Sequence, residues 1–469
     1  MIPMPRFRWW LILPLVLIVS LSFGLRVGYL TRCTENGWKQ TPIEVQGSGR
    51  ASHHPERTEF LGKTSPSVQD NVVANMTDHA WFGCLAPLGE EEELTTHLAP
   101  GYPWVSGWVA SWAESPDHLM RWAQCVLSGL TPIGCFYFSR RAFRSNLVGL
   151  IAGTLAAAHP FFIVNAAELS DGTAVTFFLV AALALGARAS QTGGLFAAFL
   201  CGAVLGCLTL IRASMLPFAL IAIVWLLWEC RRFSFGWFAC FLTLFGFINT
   251  VAPWSIRNYQ VTGQPVPIVN SLYLHLWIGN NPLANGSQQD ERTVRKALEN
   301  ERLEAVLAET DQTQRYQMLA HDCWDEIQDH PKATLVRRIE ATLTFFLGER
   351  WLRQREFARV VKDPEALAAI PDWLVDQIEL ILHAAFVLLL VLAFLGWRWS
   401  HAWRRQARIA ALAMVLLPLP IILSHAEAMS GPRLPLDAVL ICFAAYGLVG
   451  WLPALAKKSK PPKLADLRL

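Results

Sequence analysis

The most regular feature of the chain is the alternation of long apolar runs with shorter polar ones. Apolar runs of about 15 to 22 residues recur from one end to the other. Runs of that length fit helices that cross a bilayer, and a soluble chain would not carry so many. The first, Trp9 to Phe23, follows Arg6 and Arg8. No small-residue cleavage site comes after it; Arg26 and bulky residues do, so it reads as a retained span rather than a signal peptide. Further spans are expected near 118–138, 147–164, 172–187, 194–211, 214–230 and 234–252, and three more near 376–396, 408–424 and 435–453. The pattern predicts an all-α polytopic membrane protein, a bundle of about ten transmembrane helices with two long extracytoplasmic loops.

The chain then divides into a first helix (1–25), a first loop (26–117), helices two to seven (118–252), a second loop (253–375), helices eight to ten (376–455) and a basic tail (456–469). In the first loop, residues 31–69 are poor in apolar positions, whereas 70–117 regain aromatics and should pack on the membrane face. The second loop opens with Ala252 to Gly286, dense in Pro, Gly and Asn, which predicts a shaped loop rather than a helix. Its middle, Asp290 to His330, is charged and helix-prone. Val336, Ile339, Leu343 and Phe346 then recur at helical spacing, with Arg337 and Arg338 between them, which predicts an interfacial helix with a basic face.

Composition agrees: 53% of residues are hydrophobic and 16% charged. The net charge of +3 says little, but its placement says more. One set of short loops and ends holds Arg6/Arg8, Arg140/Arg141/Arg144, Arg188, Arg231/Arg232, Arg398/Arg404/Arg405/Arg408 and Lys457/Lys458/Lys460/Lys463. The alternate loops carry only Arg212 and Arg433. Positive charge stays on the cytoplasmic side, so both termini are expected there, both long loops outside, in the plasma (inner) membrane. Ten cysteines show no CxxC and no Cys/His metal spacing. A Cys33–Cys84 disulfide is left open, and His97, His275 and His321 have no spacing that demands a metal. Without GxGxxG or Walker A there is no support for nucleotide binding, and nothing points to a nucleic-acid partner.

The polar residues at the outer ends of the spans are the informative ones: Asp78, Glu168, Asp171, Arg212, Arg257, Asn258 and Arg433. They are far apart in sequence but share one membrane depth, so together they predict a charged pocket at the outer leaflet. Plainer readings compete. Glu168 and Asp171 could cap the helix that starts near Gly172. The arginines could snorkel to lipid phosphates. Glu90 to Glu93 read first as a solvated face, and the aromatics of SLYLHLW as interface anchors.

Four segments and one late one carry a resemblance: HLAPGYPWVSGW, AAELSDGTAVTFFL, LTLIRASMLP, APWSIRNYQVTGQPVPI with LWIGNNPLANG, and RLPLDAVL. Together they resemble the GT-C superfamily of membrane glycosyltransferases. The likeness is to the branch of protein O-mannosyltransferases, the lipid A aminoarabinose transferase and bacterial family-39-like enzymes. It reaches from about residue 70 to residue 450. It implies a polyprenyl-phosphate-linked sugar donor, a protein, lipid or glycan acceptor, and a catalytic Asp in the first outer loop. Asp78, in Asp-His-Ala-Trp, matches the family's Asp-x-x-aromatic pattern, with Trp81 where the family often has Tyr. Asp70 is the alternative, and Glu90 to Glu93 a weaker one. The resemblance further implies Asp171 and Glu168 as acidic support, Arg212, Arg257 and Arg433 as ligands of the donor phosphate, and Asn258, Tyr102 and Asn280 as site wall. The late segment reads GPRLP and so lacks one of the family's two arginines. No cofactor beyond the lipid-linked donor is expected, and a divalent cation is left open. A transporter or flippase of lipid-linked intermediates and an inactive membrane scaffold are the competing functions.

Overall fold

A computed structural model describes residues 9–35, 58–60, 63–65, 83–85, 92–286, 291–298, 300–347, 372–400, 404–426 and 430–451. The expected all-α polytopic bundle is borne out. The helices are α1 (Ile12–Glu35), α2 (Gly101–Ala110), α3 (Pro116–Ala142), α4 (Asn146–Ala157), α5 (Pro160–Ala167), α6 (Gly172–Thr192), α7 (Leu195–Ile211), α8 (Leu216–Cys230) and α9 (Gly236–Thr262). They continue as α10 (Leu272–Asn280), α11 (Glu291–Lys296), α12 (Asn300–Ala308), α13 (Gln312–Asp329), α14 (Pro331–Leu347), α15 (Asp372–Trp399), α16 (Arg404–Leu416), α17 (Leu419–Leu423) and α18 (Ser430–Trp451). Two small antiparallel hairpins, Thr58–Phe60 with Lys63–Ser65 and Gly83–Leu85 with Glu92–Leu94, lie in the first loop.

The span count differs from expectation. Among the described residues six helices are long and apolar enough to cross a membrane, or seven if α4 and α5 count as one. Residues 195–211 and 407–423 are apolar but short. The bundle is tied by close helix pairs. Gly202 in α7 lies against the Thr243 carbonyl of α9, and Gly396 in α15 against the Phe443 carbonyl of α18. A Cβ at either place would collide with backbone, so small residues set these contacts, as expected where lipid supplies no hydrophobic drive between helices.

The span expected at 147–164 is broken: α4 and α5 meet at 48°. Pro160 cannot continue the ladder. Buried Arg26 of α1 satisfies the carbonyls left over, donating from Nη1 to Ala157 O at 3.0 Å and to Ser22 O at 2.9 Å. Its Nε donates to Ser128 Oγ at 2.7 Å. In a bilayer, freed backbone groups need such internal partners.

The loop expected over Ala252 to Gly286 is a correction. The helix α9 runs on to Thr262 with Pro253 inside it, and α10 occupies Leu272–Asn280. Trp254, Arg257 and Asn258 stand at helical spacing, so their side chains share one face and anchor the helix end. The turn residues act where the chain does reverse: Gly263 ends α9 in the left-handed region at φ 64°.

Candidate functional site

The acidic turn Glu168-Leu-Ser-Asp171 links α5 to α6, with Ser170 N donating to Glu168 O at 2.8 Å. Asp171 stands at the N-cap of α6, yet its side chain makes no cap bond. Instead Arg212, at the end of α7, grips it with a fork: Nε donates to Oδ2 at 2.8 Å and Nη2 to Oδ1 at 2.5 Å. The capping reading of Asp171 therefore fails, and a bidentate ion pair replaces it. The pair is partly open to solvent, with side chains 26% and 17% exposed.

Three further residues build this end of the bundle. Tyr102 OH donates to Gln124 Oε1 at 2.7 Å. Gln124 Nε2 donates to Glu168 O, holding the acidic turn against α3. Arg121 Nε donates to Ala167 O at 3.1 Å, one helix turn away on α3. Gly101 presses on the backbone of Leu210 and Ile211, which brings α2 and Tyr102 against the end of α7 that carries Arg212. Burial, with the Asp171 charge nearby, pushes the Tyr102 phenol well above its usual range. Tyr102, Glu168, Asp171 and Arg212 thus come together at one end of the bundle. Arg121 and Gln124 were missed. The readable signal was a polar line at helical spacing, Asp117, Arg121, Gln124 and Ser128, in the first turns of a span.

Arg257 and Asn258 form the neighbouring support. Arg257 Nη1 donates to Thr95 O at 2.8 Å and to Asn258 Oδ1 at 3.2 Å, and the guanidinium lies 4.7 Å over the Trp254 ring. Asn258 is fully buried and donates from Nδ2 to Val266 O at 3.2 Å and Ile268 O at 2.9 Å, folding the turn back on α9. Asn270 N donates to Thr96 O at 3.1 Å, and Asn270 Nδ2 to Gln312 Oε1 at 3.2 Å. The irregular segment 95–100, stapled here, leads directly into Tyr102. Asn280 is also bonded inward, to Leu276 O at 2.7 Å and Leu423 O at 3.2 Å.

A chain of rings, all buried except the partly exposed His275, lies beside this support. Tyr316 OH is 3.1 Å from His97 Nδ1, the rings of His97 and His275 are 6.0 Å apart, and His275 Nδ1 is 3.0 Å from His425 Nε2. Burial lowers all three imidazoles, His97 and His425 to about 3 and His275 to about 4. Among the described residues no group of three His, Cys, Asp or Glu side chains is disposed to hold a metal.

Arg433 lies apart from Arg212. It belongs to α18, where Nε is 3.4 Å from Asp437 Oδ1 and Nη1 donates to Phe346 O at 3.2 Å. Its guanidinium stacks 4.0 Å from the Phe386 ring and 5.3 Å from that of Phe161. His159 Nε2 is 3.7 Å from Asp437 Oδ2. Since His159 precedes α5 and Glu168 follows it, the two charged groups sit at opposite ends of that helix, about 12 Å of rise apart. Asp437 and His159 were missed; the i, i+4 pair in RLPLD was the legible sign of the first. The side chains of Asp78, Asp70, Cys84 and Glu90 to Glu93 lie outside the described residues.

The sequence model of the dolichyl-phosphate-mannose-protein mannosyltransferase family matches residues 97–256, about a third of the chain. This bears out the resemblance drawn from the motifs. The match covers Tyr102, Gln124, Glu168, Asp171 and Arg212 and stops one residue before Arg257. No curated protein matches. Among solved structures, the chain is similar to the oligosaccharyltransferase of Archaeoglobus fulgidus in complex with zinc and sulfate, at 13% identity and a TM-score of 0.48, covering 95% of this chain and 50% of that one. It is also similar to AglB of the same organism in complex with an inhibitory peptide and a dolichol-phosphate, at 14% identity and a TM-score of 0.48, covering 97% and 53%. The chain spans about half the length of these proteins.

Proposed function

We propose that the chain is an integral membrane glycosyltransferase that moves a sugar from a polyprenyl-phosphate-linked donor to an extracytoplasmic acceptor with inversion. The observation that carries this is the Arg212–Asp171 fork, at the end of two helices and inside the region matched by the mannosyltransferase family. Topology favours the same donor. Nucleotide sugars are cytoplasmic, so a transferase working outside needs its sugar on a lipid that has crossed the membrane.

In this reading an acceptor hydroxyl or amine attacks the anomeric carbon while the bond from that carbon to the phosphate oxygen breaks. The acceptor proton passes to the Asp78 carboxylate, and the bond's electron pair leaves with the lipid phosphate. Arg212 holds that developing charge, because guanidinium stays ionised and grips phosphate oxygens in a fixed geometry. Asp171 orients Arg212, and Glu168 supports the acceptor side. Tyr102 and Asn258 wall the site and Asn280 braces it, with Arg257 as the second phosphate ligand; Arg433, shut in with Asp437, takes no part. The acceptor is a protein, lipid or glycan, and both termini are cytoplasmic in the inner membrane.

The test is transfer by the full chain in proteoliposomes from radiolabelled dolichyl-phosphate mannose. Release of lipid phosphate that stops in Asp78→Asn, with the protein still folded, supports the reading. Full activity in Asp78→Asn removes the base assignment, and absence of turnover in the wild type with any polyprenyl-phosphate sugar removes the function.

A second reading, a transporter or flippase of lipid-linked intermediates, draws on two observations. One is the broken helix α4–α5, and the other is the buried Arg433, Asp437 and His159 beside it. Movement of a fluorescent polyprenyl phosphate across vesicles without sugar loss would favour it.

A further inference from the structure

The helices α13 and α14 follow one another and are amphipathic in opposite senses. The buried face of α13 holds Tyr316, Leu319 and Cys323, and its outer face holds Gln314, Gln317, His321, Asp325 and Gln328, polar apart from Trp324. That is the arrangement water imposes. In α14 the inner face holds Arg337, Ala341 and Phe345. The outer face is a stripe of Leu335, Val336, Ile339, Leu343 and Leu347, each 44% to 62% exposed. Its charges are Lys332 in the first turn and Glu340 at the margin. The basic face expected of this helix therefore points inward, and the apolar residues point out.

The two arginines have defined work inside. Arg337 donates from Nη1 to Asn280 O at 3.1 Å and pairs through Nη2 with Glu326 at 2.7 Å. Arg338 donates from Nη1 to Ser424 O at 2.8 Å and to Ile422 O, and from Nη2 to Gly279 O. These acceptors are the terminal carbonyls of α10 and α17. Leu423 O is taken by Asn280. The apolar segment 407–423 has 17 residues, about 25 Å of helix against a hydrocarbon core of about 30 Å. A segment that short leaves at least one end inside the core, and the carbonyls at that end need protein donors. Arg338 and Asn280 are those donors, which sets α14 at the same level. The last turn of α14 also touches a spanning helix, through Phe346 O and Arg433.

The side chains of the stripe agree with that depth. The exposed face of α2 carries Trp104 and Trp108, with Trp112 just beyond, and tryptophan favours the headgroup level. The α14 stripe is wholly aliphatic, as at acyl-chain depth. We propose that α14 is set in the outer leaflet, with lipid acyl chains covering Leu335, Val336, Ile339, Leu343 and Leu347, while Arg337 and Arg338 close the end of the short span. The inference holds whether or not the chain transfers sugar; it rests on the bundle standing in a membrane with its long loops outside.

The experiment uses the full chain in nanodiscs, with bimane attached at Leu343→Cys or, as the watery reference, at Asp325→Cys. Signal from the unsubstituted chain is subtracted. Quenching at Leu343→Cys by a spin-labelled phosphatidylcholine should exceed quenching by iodide several-fold, with the order reversed at Asp325→Cys. Leu335→Cys gives the same reading should Leu343→Cys fail to fold. Equal iodide quenching at the α14 and α13 positions overturns the proposal. So does protection from both quenchers together with cross-linking to a second copy, which would make the stripe a protein interface.

Discussion

Of the arginine–aspartate pairs, Arg212–Asp171 stands near one end of α5 and Arg433–Asp437 near the other, and these two differ in almost everything except composition. Arg212 and Asp171 come from different helices, meet in a two-bond fork and remain partly exposed. Arg433 and Asp437 are neighbours on one helix, meet at 3.4 Å, and are 3% and 0% exposed between phenyl rings. Water can replace either partner of the first pair, so the pair can exchange its carboxylate for a substrate anion at modest cost. Nothing can solvate a lone partner of the second, so that pair is bound up with folding. Charge at the end of a span does not by itself mark a phosphate site; its access to solvent decides.

The largest expected effect tests the buried pair. Asp437→Ala leaves Arg433 without its carboxylate in a dry site and should cost about 3–5 kcal/mol, read as a lowered unfolding midpoint in detergent. Replacing both partners, Arg433→Met with Asp437→Leu, should recover most of that loss. Asp171→Ala should cost no more than about 1 kcal/mol of stability. An equal loss for Asp171→Ala and Asp437→Ala would erase the distinction between the pairs.

Next comes the open pair. Arg212→Leu should lower sugar transfer by about 10²- to 10³-fold, as loss of one preorganised donor to a developing charge does elsewhere, with the unfolding midpoint close to wild type. Arg212→Lys should recover only part, because an ammonium cannot fork. If Arg433→Lys lowers transfer as much while stability holds, Arg433 reaches donor phosphate after all and its pair with Asp437 must open in the cycle.

A third effect separates α10 and α13 from the rest of the bundle by pH. His97, His275 and His425 have folded values near 3 to 4, below the unfolded value of about 6.5, because burial disfavours their charged forms. The unfolded form therefore binds more protons below pH 6.5, and stability falls as pH drops from there toward 4. Amide exchange in α10 and α13 should quicken over that window. Because Tyr316 and the 95–100 segment are tied to these rings, the Asp171–Arg212 end should loosen over the same window. His97→Gln should flatten the response.

Much of this was legible in the sequence, and the failures have physical causes. Apolar run length gave the bundle, and the acidic turn and the arginine at the end of α7 gave the open pair. Run length could not show the break at His159, because the break depends on Pro160 and on Arg26 from a distant helix supplying donors to the freed carbonyls. Pro, Gly and Asn content misplaced the stretch from Ala252, since within a membrane bundle Pro253 can sit inside a helix. Period 3.6 found α14 but not which way it faced. A period fixes which residues share a side, and only the neighbours, here the bare carbonyls of α10 and α17, decide which side is in. Arg433 looked like Arg212 because access to solvent is a property of the packed bundle.

The smallest expected effect bears on how the open pair is held. Tyr102 and Gln124 are joined by one 2.7 Å hydrogen bond, and Gln124 in turn holds the carbonyl of Glu168. Tyr102→Phe removes the donor and leaves Gln124 Oε1 buried without it, at about 1–3 kcal/mol. Gln124→Leu also releases the acidic turn. If the two act as one unit, the double variant should cost less than the sum by about 0.5–1.5 kcal/mol in a double-mutant cycle. The same coupling should appear in the transfer rate at saturating donor, because a turn freed from α3 lets Asp171 swing and takes Arg212 with it. Strict additivity in both readouts would mean that Asp171 and Arg212 hold each other without help from α2 and α3.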